Sequence, residues 1–179
     1  ATVQPTFQDK FFEWVYFATL SGPHTQAKNI LGNFVKLATV IPQTAVAARI
    51  GQVRSAITGK EIEGIRVGEA QARLFAVMKG AQDGLVVAAK TFQSGISRYD
   101  QTMSLERRRV AAISGKKGEV IRFFSRLLTT TDDFFRTIAI RQEINALAFR
   151  RATQEGLKGD ALHGRIDDLI QNPPASFME

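Results

Sequence analysis

The residues best suited to chemistry are two aspartate pairs, two histidines and one glycine-bracketed segment. Asp132-Asp133 and Asp167-Asp168 would supply adjacent carboxylates for acid–base work. The first pair follows Thr129-Thr130-Thr131, and acids placed after threonines are explained by capping the first turn of a helix. The second pair falls on the polar side of an amphipathic pattern. His24 and His163 have no His, Asp or Glu at a metal-ligand spacing. Gly80-Ala81-Gln82-Asp83-Gly84 lies in a helical pattern and lacks the Lys-Ser/Thr that completes a phosphate loop. A Gly-x-Ser-x-Gly nucleophile elbow is absent, and with no cysteine neither disulfides nor thiolate metal sites can form. These residues predict no catalytic, cofactor or metal site, and they leave surfaces as the carriers of function.

One such surface is basic. Between Arg98 and Arg126, eight Lys or Arg face three acids, a balance of +5 out of the chain's +7. Arg107, Arg108, Arg109, Lys116 and Lys117 are the candidate contacts to DNA phosphates, which would give salt-dependent, sequence-independent binding. A solvated loop, or an interface with an acidic partner chain, uses the same residues. A pI near 10.1 agrees with a polyanionic neighbour and equally with a basic surface kept for solubility.

The elements that must position these residues are helical. The longest pattern covers 131–155, opened by the Thr-Asp run and closed at Gly156. At about 100° per residue, Phe135, Ile138 and Phe149 fall on one side and Ile140, Ile144 and Leu147 nearly opposite. Two apolar faces need two partners, so this helix is expected inside a bundle or an assembly. A second packing signal is the row Gly64, Gly68, Ala72, Ala76, Gly80, Gly84 and Ala88, one small residue at every fourth position. Glycine weakens a helix by about 1 kcal/mol relative to alanine, so the row predicts a compensating close approach to another helix. The expected helix-packing interface is therefore Gly68, Ala72, Ala76, Gly80 and Gly84 with Phe135, Ile138, Ile140, Ile144 and Leu147.

Other helices are expected from Thr6, which has Asp9 as a capping-box partner, to the turn Ser21-Gly22-Pro23. Next come helices over 25–41, which Pro42 ends or kinks, and over 43–57. A basic helix from Ser104 to Gly115 or Gly118, a short one over 119–128, and a last one from Gly159 to the Pro173-Pro174 stop complete the pattern. Phe7, Phe11, Phe12, Trp14 and Phe17 make the first helix aromatic, which reads first as core or helix–helix interface. Alternating strand patterns are almost absent. The expected fold is all-α, an elongated bundle of six to eight helices. It divides into a helical region over 1–93, a basic connection over 94–118 and a helical region over 119–179, or forms one domain of a longer chain. The longest charge-free run, Trp14 to Ala27, is broken by Ser21-Gly22-Pro23, so no segment is expected to cross a bilayer.

Three segments carry a family resemblance. They are Leu20-Ser21-Gly22-Pro23-His24-Thr25 with Lys28-Asn29-Ile30-Leu31-Gly32-Asn33, then Thr131-Asp132-Asp133-Phe134-Phe135-Arg136 through Glu143-Ile144-Asn145-Ala146-Leu147-Ala148, and Gly156-Leu157-Lys158-Gly159-Asp160-Ala161-Leu162 with Asn172-Pro173-Pro174. Over about residues 14–174 the chain resembles the large polyvalent proteins of tailed bacteriophages and prophages, whose members include internal virion and ejection proteins. The resemblance implies one piece of a longer structural polypeptide that forms a homo-oligomer with other virion proteins of the portal or core. It also implies proximity to packaged DNA, a place in the virion interior, and transient contact with the host envelope during genome delivery. Polymerase, protease and methylase activities found elsewhere in that family are not implied, because none of their motifs is present.

Overall fold

A computed structural model of the chain describes residues 6–20, 22–59, 64–99 and 115–177. Among these, the chain is all-helical, with α1 (Phe7–Leu20), α2 (Pro23–Thr58), α3 (Glu69–Ser94), α4 (Gly115–Gln154) and α5 (Gly159–Gln171), followed by a 3-10 turn at Ala175–Phe177. Among the described residues there are five helices where six to eight were expected of the chain, and two predicted breaks are bridged. The expected basic helix over 104–118 lies outside the described residues except for its last four, which begin α4.

The first bridged break is Pro42, which sits inside a 36-residue α2 and ends nothing. A proline costs a helix interior one hydrogen bond and about 3 kcal/mol. Thr44 and Ala48 in the following turns are buried, and the Thr44 hydroxyl donates to the Val40 carbonyl at 2.6 Å, inside the continuous helix. Continuity also gives α2, over His24–Thr58, the length and apolar composition of a membrane-crossing helix, where no such segment was expected; Gln26, Thr44 and Ala48 are its buried residues.

The second bridged break is the threonine run. Thr129 and Thr131 do not cap a helix; they donate hydroxyl bonds to the carbonyls of Ser125 and Leu127, 3.0 and 2.9 Å away, and stay inside the 40-residue α4. Threonine tolerates a helix interior when its hydroxyl folds back onto the preceding turn. Asp132 and Asp133 are consequently mid-helix residues, and the expected separate helices over 119–128 and 131–155 are one.

Contacts divide the chain into two compact units, residues 1–34 with 84–135 and residues 35–83 with 136–179. The unit boundaries fall within α2, α3 and α4. Each unit joins stretches distant in sequence because α3 and α4 run antiparallel.

In the unit of 35–83 and 136–179, the core combines Ala48, Ala76, Ile138, Ile144, Ala146, Ala148, Ala152 and Leu169. Leu162, Ile166, Ile170 and Phe177 close over Ala148, Ala152 and Leu169, so α5 and the 3-10 turn cover the end of α4. Gly156, at φ 77°, takes the left-handed conformation that stops α4. In the unit of 1–34 and 84–135, Val87, Thr91, Asp133 and Gln26 are buried, and Phe92, Phe123 and Phe124 make successive edge-to-face contacts at 5.9 and 5.6 Å.

Candidate functional site

The glycines of the small-residue row do meet a helix closely, and it belongs to the same chain. A Cβ at Gly80 would lie 3.0 Å from the Ile138 Cα, and one at Gly84 would lie 3.0 Å from the Phe134 carbonyl oxygen. Both approaches are to backbone, so α3 and α4 touch main chain to main chain at these points. Ala76 is buried on the same face and Ala72 is half-buried. Gly68 is not part of the helix: it precedes α3 at φ 104°, where a Cβ would penetrate the Phe149 ring at 2.4 Å. The two apolar faces of α4 are both covered: Ile138 and Ile144 are buried, and Phe135, Ile140, Leu147 and Phe149 are half-buried.

Polar pairs fix the register of this packing. Glu69, fully buried, accepts two hydrogen bonds from Arg150, from Nε at 2.9 Å and from a terminal nitrogen at 2.7 Å. Its Oε1 also accepts the Arg66 backbone N–H at 2.6 Å, which holds the approach to α3. The Glu69 hydrogen bonds, opposed by burial, leave the Arg150 guanidinium with a raised pKa. Arg73 pairs with Glu143 at 2.7 Å, and Arg141 reaches Asp83 at 2.7 Å while Lys79 stands 3.3 Å from the same carboxylate. Burial pushes the Asp83 carboxyl up, but the Lys79 hydrogen bond and the Arg141 guanidinium outweigh it and hold the group below its ordinary range.

In the other unit Asp133 has the comparable part. It is 1% exposed and accepts hydrogen bonds from the Thr91 and Ser97 hydroxyls, both at 2.6 Å, and from the Arg98 backbone N–H at 3.1 Å. Donors from the end of α3 and from the turn after it thus converge on this buried carboxyl and anchor the chain leaving α3. Gly95, at φ 69°, makes the turn that delivers Ser97 and Arg98 to it. Asp167 and Asp168 are exposed on α5, where Asp168 pairs with Arg165 at 2.6 Å. His163 and His24 are exposed, and no group of three or more His, Cys, Asp or Glu able to hold a metal occurs among the described residues.

The basic candidates divide. Arg107, Arg108 and Arg109 lie outside the described residues, whereas Lys116 and Lys117 occupy the first turn of α4, which contains no acid.

The residues that sequence reasoning missed are apolar and outward. On α3, opposite the glycines, Phe75 and Met78 are 77% and 76% exposed, with Leu74 beside them in the same unit. Leu85 and Val86 are exposed in the other unit. On α2, Val46, Ile50, Val53 and Ile57 are all exposed, and the last three border an open apolar groove with Arg49 and Arg54 at its sides. The seven-residue interval between Met78 and Leu85 was the available signal. The chain matches no protein-family model, no curated protein and no solved structure.

Proposed function

We propose that the chain is a structural segment of an internal virion or DNA-ejection protein of a tailed phage, which oligomerises near the portal and takes part in delivering the genome to the host. The observation that carries this reading is the outer face of α3 at Leu74, Phe75 and Met78. Its inner face is already occupied by α4, so the outer apolar side chains have no use in this chain's own core. Contiguous exposed apolar surface of this kind marks an interaction site, and one helix face is the shape that another helix covers. The resemblance at Leu20–Asn33, Thr131–Ala148 and Gly156–Pro174 supplies the setting, and the basic stretch around Lys116 and Lys117 suits proximity to packaged DNA. The function is non-catalytic, and the partners are further copies and other virion proteins of the portal or core.

Light scattering tests the reading. The intact protein is expected to run as a multimer, and Phe75→Ser with Met78→Ser to reduce its mass toward that of a monomer while helical content stays unchanged. An intact protein that is monomeric at all concentrations would sink the assembly.

A further inference from the structure

The face of α2 formed by Val46, Ile50, Val53 and Ile57 differs from that of α3 in its charge. Across Pro23–Thr58 there is no acid at all, and the four charges are Lys28, Lys36, Arg49 and Arg54. Arg49 and Arg54 flank the apolar stripe, and Ile57 at its end is 79% exposed. The buried residues Thr44 and Ala48 point the other way, into their own unit, so the stripe is available without unfolding. A second copy laid on it would bring Arg49 and Arg54 of each chain together with no acid in α2 to offset them, and like charges so juxtaposed oppose pairing. An apolar stripe edged by cations instead complements a surface that is anionic outside and hydrocarbon beneath.

We propose that the outward face of the C-terminal half of α2 binds an anionic lipid bilayer, lying in its interface with the aliphatic side chains below the headgroups and Arg49 and Arg54 at the phosphates. The helix is long and apolar enough to cross a membrane, but Thr44 and Ala48 on its other side are buried against protein, so it binds along the surface. Burying four aliphatic side chains supplies the attraction, and the arginine stems reach past them while their guanidinium groups stay at the interface. The inference stands on α2 alone and is independent of the phage reading.

Because the chain has no cysteine, a single Val53→Cys substitution accepts one environment-sensitive dye in the full-length protein, and Lys158→Cys on an exposed site serves as control. With vesicles of phosphatidylcholine and phosphatidylglycerol the label at 53 should shift to the blue and the label at 158 should not; pure phosphatidylcholine should give a much smaller shift. Arg49→Glu with Arg54→Glu should weaken partitioning on the order of tenfold or more, and Ile50→Ser with Ile57→Ser should abolish it without altering helical content. Equal shifts at both labels, no shift with any vesicle, or a vesicle-independent shift at 53 that grows with protein concentration would each overturn the proposal. The last outcome would mean that a second copy covers the stripe. If lipid binding fails while the Phe75 and Met78 substitutions still reduce the mass, the proposed function stands and this inference falls.

Discussion

At the scale of single residues, the chain is held in register by side chains that admit little substitution. Gly80 gains helix propensity on replacement by alanine, about 1 kcal/mol, yet its new Cβ would meet the Ile138 Cα at 3.0 Å. Backbone cannot rotate away as a side chain can, and overpacking typically costs about 1–3 kcal/mol. Gly80→Ala is therefore expected to lower stability despite its better propensity, and Gly68→Ala to lower it more, because strain at positive φ adds to the clash with Phe149. Urea denaturation of the two variants checks the order; a stabilised Gly80→Ala would show that α3 and α4 do not pack so closely in solution. Asp83 gives a pH dependence. Its carboxyl is depressed in the folded state, so the stability it contributes is present above the unfolded value and is lost as the pH falls through the folded one, below about pH 4. Asp83→Asn should flatten that part of the acid limb of the melting temperature and leave the neutral region displaced by a constant amount. An acid limb unchanged by the substitution would remove Asp83 from the account. The pairs themselves were not legible in the sequence. Glu69 with Arg150 and Thr91 with Asp133 join residues far apart in the chain, and no local spacing announces them.

At the scale of elements, the type of structure was readable and its boundaries were not. The 3.6-residue recurrence of apolar positions identified α1, the C-terminal half of α4 and α5. Proline and the threonine run, both strong local punctuation, misplaced the ends of α2 and α4. Local preference is worth a few kcal/mol at most, and long helices packed along their length override it. The consequence for α2 is measurable. Pro42 is exposed and provides no N–H for the Ala38 carbonyl one turn back, so Pro42→Ala removes a defect without losing packing. Thermal unfolding should show a gain of about 1–3 kcal/mol. A loss would mean that the proline shapes α2 in a way the rest of the unit requires.

At the scale of the whole molecule, composition had already spoken for a helical, basic chain without disulfides or thiolate metal sites. The net charge of +7 is concentrated between Arg98 and Arg126. If that stretch meets DNA, affinity should fall steeply with salt, and neutralising Arg107, Arg108, Arg109, Lys116 and Lys117 should reduce the slope by about five, since each phosphate contact contributes roughly one. A slope unaltered by the five changes would assign binding to other residues. What the sequence by itself determined is the helical periodicity, the charge and the need of small residues for a close neighbour, all of them properties of short stretches. Which neighbour satisfies them depends on contacts between residues dozens of positions apart. Only the tertiary structure decided that α4 fills the glycine row of α3 from within the chain and covers its own two faces there. Apolar surface is thereby left on the opposite side of α3, on α2, and on α1, where Phe7, Phe11, Phe12 and Trp14 are exposed rather than core. Burial is a property of what surrounds a side chain, and no single stretch of letters contains its own surroundings.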